Sequence, residues 1–351
     1  KLDGYFVVEL GSYVYNPRIS ATAPVGPISK NKIGTGVMSP LYTVFSFKND
    51  SNDFYEHYFK TSGWHGYMRQ ASSTGARHDR MAISGDDFMA MPLPVSTPEE
   101  QQKIADCLSS LDELIAAQGR KVEALKTHKQ GLMQQLFPRE GECQPRLRFP
   151  EFQSVGDWEY MTLADVAQIS SGTTPLRSNA EFFDGGNIPW VKTTDLNNAF
   201  ISQTEECITP KARARVNPVG AVLVAMYGGF NQIGRTGCLS VPAATNQALS
   251  VLVLDQNRAL PAYVLAWLNA KVDVWKRIAS SSRKDPNITG TDVAKFPITL
   301  PTPEEQQRIA DCLMAFDTLI TAAAQAHDNL KTHKKGMMQQ LFPSPEETTD
   351  P

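Results

Sequence analysis

The side chains able to do chemistry in this 351-residue chain are cations, amides and thiols, and their spacing excludes more than it selects. Cys107, Cys143, Cys207, Cys238 and Cys312 form an odd set without a Cys-x-x-Cys pair. A disulfide framework needs an even count and a thiolate zinc site needs paired ligands, so these read as reduced thiols. His128 and His333 recur inside a Lys-Thr-His-Lys motif, where an isolated imidazole reads as a solvated helix-face residue rather than a metal ligand. No Gly-x-x-x-x-Gly-Lys-Ser/Thr loop cradles a phosphate, and no cluster of carboxylates suggests a nuclease. The expectation is a chain with no catalytic residue, metal or cofactor of its own.

What must position any binding chemistry is a long element written twice. Residues 97–138 begin Thr-Pro-Glu-Glu-Gln-Gln and end Met-Gln-Gln-Leu-Phe-Pro; residues 302–343 do the same at an ungapped offset of 205. Thr97 and Thr302 suit a helix N-cap, and Pro98 and Pro303 suit the first helical position. Glu100 and Glu305 suit the third, where a carboxylate closes a capping box and favours the positive end of the helix dipole. Phe137-Pro138 and Phe342-Pro343 stop both copies. Each helix of roughly 40 residues would run about 60 Å at about 1.5 Å per residue.

The apolar positions follow a 4-3-4-3 spacing: Ile104, Leu108, Leu111, Ile115, Val122, Leu125, Leu132 and Leu136, then Ile309, Leu313, Phe316, Ile320, Ala323, Leu330, Met337 and Leu341. That is a coiled-coil seam, with polar breaks at Gln118, Lys129, His327 and Lys334 that can fix register and partner. A lone amphipathic helix would leave its stripe in water, so the two copies are expected to pack antiparallel on each other. Their outer faces and the repeated tails would offer a docking surface.

The composition is that of a soluble protein, 41% hydrophobic and 20% charged. No run of about 18 apolar residues reads as a membrane span and no stretch resembles a signal peptide, so the expected compartment is cytoplasmic. A net charge of −3 gives no global attraction to nucleic acid, so such binding would rest on local Lys and Arg.

The stretches between the helices diverge but share a skeleton, an α+β arrangement of short strands punctuated by Gly, Pro and Asn. In 157–301, Ala221–Val224 and Leu249–Leu254 read as strands and Pro261–Arg277 as a helix. In 1–96, Phe6–Val14 and Tyr42–Phe47 read as strands, Phe54–Tyr67 as the matching helix, and Ile83–Asp87 parallels Ile288–Asp292. The expected division is 1–96 as a first domain short of about 60 residues at its front by this alignment, 97–138 as first helix and 139–156 as linker. Residues 157–301 form the second domain, 302–343 the second helix and 344–351 a tail.

This pattern resembles the specificity subunit of type I restriction–modification systems. The likeness rests on the repeated TPEEQQ-(K/R)-IADCL…LKTHK-x-G-(L/M)-MQQLFP, the lead-in Arg146–Phe152, Ile188–Leu196, Thr245–Ala248, Tyr15–Ser20 and Gly34–Pro40. The resemblance implies two target recognition domains on two long antiparallel coiled-coil helices, a non-catalytic scaffold reading a split site in double-stranded DNA. It further implies two methyltransferase subunits, which use S-adenosylmethionine, and ATP-driven motor-nuclease subunits as partners, without a membrane.

Phosphate contacts need Lys, Arg or small polar donors, and base readout needs Arg, Lys, Asn or Gln aimed into a groove. The candidates are Arg18, Lys30, Lys32, Arg77 and Arg80 in the first domain, and Lys192, Thr193, Tyr227, Asn231, Arg235, Arg283 and Lys284 in the second. Each could equally be an ordinary solvated side chain. Asn246-Gln247 is expected to be a buried turn stabiliser rather than a base reader. Two rival readings stand beside this one. Autonomous methyl transfer would need an Asn/Asp-Pro-Pro-Tyr/Phe motif, approached only by Asn16-Pro17-Arg18. A non-DNA-binding assembly protein would bridge partners through its coiled coil.

Overall fold

The computed structural model describes residues 4–49, 51–74, 79–280 and 287–342. The repeated elements are two continuous helices of 39 residues each, Pro98–Leu136 and Pro303–Leu341. Thr97 and Thr302 cap them as expected: their hydroxyls accept from the backbone N–H of Glu100 at 3.3 Å and of Glu305 at 3.4 Å. The reciprocal half of the expected box differs in the second copy. There the Glu305 carboxylate, 1% exposed, is held by both Nε and an Nη of Arg148 at 2.8 Å each. A bidentate guanidinium is a stronger partner than a backbone amide, and it ties the Arg146–Phe152 lead-in to the helix start.

The chain divides into two compact units whose boundaries cut both helices. One comprises the described residues up to Val122 together with those from Ala322 onward; the other is Glu123–Thr321. In the first unit the helices run antiparallel, with Lys334 paired to Asp112 and the Gln118 amide donating to Ala323 O at 2.9 Å. In the second they do so again: Lys129 Nζ lies 2.5 Å from Asp317 Oδ1, and the His128 ring packs on Phe316 at 5.1 Å. The two ion pairs occupy positions related by the 205-residue offset. Three of the four polar seam residues therefore make the register-setting contacts. By length and composition Pro303–Leu341 could also cross a membrane, but Ile309, Leu313, Ala323 and Lys334 are buried against protein.

The first unit packs an aromatic core. Strands run in the order Ile28–Lys30, Tyr13–Tyr15, Thr43–Phe45, all antiparallel. Tyr13, Tyr15, Phe54, Tyr58, Phe59, Trp64 and Phe88 close over this sheet with Ala105 and Leu108 of the first long helix and Phe342 after the second. The expected strand Phe6–Val14 is interrupted at Gly11, whose φ of +88° favours glycine, leaving Phe6–Val8 and Tyr13–Tyr15. The expected helix Phe54–Tyr67 is two helices, Asp53–Tyr58 and His65–Ala71. Thr61 Oγ1 donates to Tyr58 O and accepts from Gly63 N–H, so local side-chain bonds replace the helical ladder between them.

The second unit holds a five-stranded sheet in the order Ala199–Ile201, Thr236–Leu239, Val222–Ala225, Leu249–Leu254, Ala167–Ser171. A three-stranded sheet, Cys207–Ile208, Ile188–Val191, Ala244–Thr245, stands beside it. The expected helix Pro261–Arg277 breaks at Lys271 into Pro261–Ala270 and Val272–Ser280. Lys271 Nζ donates to Pro138 O at 2.5 Å, tying the break to the end of the first long helix. Leu136 and Phe137 enter this core beside Trp158, Tyr263, Trp267, Ile309 and Leu313. The paralleled motifs 83–87 and 288–292 are both short-helix caps, with Ser84 accepting from Asp87 N–H and Thr289 from Asp292 N–H.

Because Leu313 is 2% exposed inside this core, Leu313→Ala should cost about 2–5 kcal/mol in denaturant unfolding. Met314→Ala, one residue on and 41% exposed, should stay within about 0.5 kcal/mol. Equal losses would contradict the packing described.

Candidate functional site

Antiparallel pairing brings several connections of the second unit to one end of its sheet. Ala225 is opposite Leu249 and Ser250 is opposite Ser171. The connections at residues 226–235, 245–248 and 172–174 therefore leave from neighbouring strand ends. Parallel pairing of Val191 with Thr245 adds residues 192–195. Hydrogen bonds stitch these connections together. Met226 N–H donates to Ala248 O at 2.9 Å, Asn246 N–H to Val191 O at 2.9 Å, Thr173 N–H to Thr245 O at 2.9 Å and Gln247 N–H to Thr174 Oγ1 at 3.3 Å.

The loop 226–235 owes its shape to glycine. Gly228 and Gly229 have φ of +114° and +85°. Gly234, at φ +75°, lies against Trp275 so closely that a Cβ would sit 2.8 Å from the tryptophan's own. Trp275 in turn stacks on Phe296 with ring centroids 3.7 Å apart. A rigid aromatic stack thus carries a turn that presents Tyr227, Phe230 and Asn231 to solvent, with Lys276 Nζ 5.6 Å from the Phe230 ring centroid. The same sheet end holds buried side-chain oxygens that have no hydrogen-bond partner among the described residues: Ser170 Oγ, Gln232 Oε1, Thr245 Oγ1, Asn246 Oδ1 and Ser250 Oγ.

Strand pairing makes the first unit's sheet a reduced counterpart. The hairpin Tyr13–Tyr15 to Ile28–Lys30 matches Val222–Ala225 to Thr236–Leu239, and Tyr15 lies opposite Thr43 as Ala225 lies opposite Leu249. The loop 16–27 is therefore the counterpart of 226–235. It carries Arg18, whose N–H donates to Asn16 Oδ1 and whose side chain is 70% exposed. Arg80 makes an isolated bridge with Arg18, and its Nε is buried without a hydrogen-bond partner among the described residues.

The structure sorts the sequence candidates. Tyr227, Asn231, Arg235 and Thr193 gather at the loop cluster, Tyr227 and Asn231 exposed, Arg235 and Thr193 half-buried; a Cβ on Gly228 would lie 3.8 Å from Thr193 Oγ1. Arg18 and Arg80 gather at the counterpart loop. Lys192 is engaged otherwise: Nζ bonds Glu206 at 2.7 Å and Glu205 at 2.8 Å, and only 17% of the side chain is exposed. Lys30 is tied to Asp53 at 2.7 Å and Lys32 to Glu56 at 2.6 Å. Arg77, Arg283 and Lys284 lie outside the described residues. Of the pair Asn246-Gln247, expected to be a buried turn stabiliser, Asn246 is half-buried with its backbone carbonyl accepting from Leu249 N–H at 3.3 Å, and Gln247 is exposed. Among the described residues no group of His, Cys, Asp and Glu could hold a metal ion.

Mixed units built on paired long helices, each presenting polar loops at one sheet end, define a class of α+β scaffold proteins. The family described as "Type I restriction modification DNA specificity domain" matches residues 156–332, and this chain belongs to it. The chain is 24% identical over 256 residues to the EcoR124I/EcoR124II specificity subunit of Escherichia coli, covering 71% of this chain and 60% of that protein. It is 25% identical over 329 residues to the MjaVIII specificity subunit of Methanocaldococcus jannaschii, covering 89% and 71%. Against the MjaIX specificity subunit of the same organism it is 30% identical over 172 residues, covering 47% and 39%. The chain thus spans less than two thirds of some of these relatives. Solved structures agree in fold. A chain from a type I R-M system studied for complex assembly and conformational transition aligns with TM-score 0.62, 17% identity and coverage of 97% and 83%. The type I S subunit from M. genitalium gives 0.61, 12%, 96% and 84%.

Arg177 and Lys192 together hold the Glu206 carboxyl down at about 2, through Arg177's bond first. A carboxylate depressed below its unfolded value contributes stability that is complete above about pH 4.5 and is lost as pH falls toward 2. Glu206→Gln should therefore lower the melting temperature at pH 7, with the gap from wild type closing over that acid window. A gap independent of pH would contradict the network.

Proposed function

We propose that this chain is the non-catalytic, DNA-reading subunit of a type I restriction–modification complex. Each unit would contact one half of a split duplex site through the loops at its sheet end, and the paired helices would set the separation. Two methyltransferase subunits and motor-nuclease subunits would assemble on it in the cytoplasm. The observation that carries this reading is the convergence of four connections, Lys192–Asp195, Thr173–Thr174, Met226–Arg235 and Thr245–Ala248, on one sheet end of a domain from the DNA-specificity family. Those connections hold amides, hydroxyls, an arginine and exposed aromatic rings, the groups that contact phosphates and base edges. The first unit's Arg18 and Arg80 supply the same chemistry at the counterpart loop.

Phosphate neutralisation makes binding fall with salt at a slope of about 0.9 per contact. Arg18→Ala should reduce that slope by about one. Arg235→Ala should weaken binding by about 1–3 kcal/mol, with loss of preference at one base pair if the guanidinium reads a base. Binding isotherms of the full chain with its methyltransferase subunits across a salt series test both. Unchanged affinity and slope in both variants would remove these loops from the interface, and salt-independent binding in wild type would favour the assembly-protein reading.

The separation is tested by adding a helical turn, about 5.4 Å, within one long helix. The gap between methylated half-sites should change while both half-site sequences persist, as read by genome-wide methylation mapping. An unaltered gap would contradict a ruler.

A further inference from the structure

We propose that Gln247 is a base-reading residue of the second unit, recognising an adenine through its side-chain amide; this rests on the DNA-reading function above. The exposed Tyr227 ring, 44% accessible, and the exposed Gln247 amide line one shallow cavity of about 380 Å³ with Ala248. The backbone beneath it is fixed from several directions. Asn246 N–H is bound to Val191 O, Gln247 N–H to Thr174 Oγ1, and Ala248 O accepts from Met226 N–H. Asn246 faces inward, its Oδ1 buried, and Ala248 offers only a methyl. Of these three residues, Gln247 alone offers an exposed side-chain donor–acceptor fork at the cavity, from a backbone that does not have to be ordered on binding. That fork matches the adenine major-groove edge, with Nε2–H donating to N7 and Oε1 accepting from N6–H. The Tyr227 ring, next to Gly228 and Gly229, lines the same cavity.

The substitution Gln247→Glu distinguishes reading from mere contact. It replaces the donor facing N7 with an acceptor and suits the N4 amino group of cytosine instead. The full chain, assembled with its methyltransferase subunits, is given a randomised duplex library at fixed salt, and the bound sequences are compared among wild type, Gln247→Ala and Gln247→Glu. Gln247→Ala should lower the preference for adenine at one position by about tenfold and leave other positions and the salt slope unchanged. Gln247→Glu should move that position toward cytosine. Gln247 is exposed, and an unchanged melting temperature confirms that both variants fold. Identical position-by-position preferences in all three proteins, or a uniform loss at every position, overturn the proposal. A wild type without any sequence preference overturns instead the function on which it rests.

Discussion

The structure depends on one constraint: neither copy of the repeated helix can bury its apolar stripe without the other. Leu108 in the first unit and Leu313 in the second, 205 residues apart, are both essentially inaccessible. Each unit's core is completed by the far end of the opposite helix. Phe342 enters the first unit beside Phe54 and Tyr58, and Phe137 enters the second beside Tyr263 and Trp267. An aromatic side chain buries enough surface to contribute on the order of 1.5–3 kcal/mol, so each unit draws stability from residues distant in sequence. The ion pairs Asp112–Lys334 and Lys129–Asp317 add register rather than bulk stability, since a slip of one turn would strand a lysine that is nearly buried at position 334.

Function follows from what this frame leaves free. Strand pairing and the Trp275–Phe296 stack spend the apolar residues on the interior, and the polar connections collect at one sheet end. Rigid support beneath exposed loops would let sequence change at the proposed reading surface without changing the scaffold.

Much of the frame was legible in the sequence because its signals are local. Thr-Pro-Glu-Glu starts and Phe-Pro stops set both helix limits to within a residue, and the 4-3-4-3 spacing announced their pairing. The destination of the tails was not legible: nothing in Leu136-Phe137 indicates which domain's core it enters. Helix breaks at Thr61–Gly63 and at Lys271 were hidden because each depends on a side-chain bond within an otherwise helical pattern. The site was only partly legible for the same reason. Lys192 looked like a free cation, yet its partners Glu205 and Glu206 reach it only through the fold. Asn246 and Gln247, adjacent and chemically alike, differ in exposure because the turn between Ala244–Thr245 and Leu249–Leu254 ties the first to Val191 O and leaves the second at the surface.

The most direct test of a DNA-facing sheet end is placement-specific photo-crosslinking. A photoreactive residue at Asn231, in the loop cluster, is compared with one at Asn257, which follows the opposite end of the strand Leu249–Leu254. In the full chain assembled with its methyltransferase subunits on duplex DNA, position 231 should crosslink to the duplex and position 257 should not. Crosslinking from 257 with none from 231 would contradict the account.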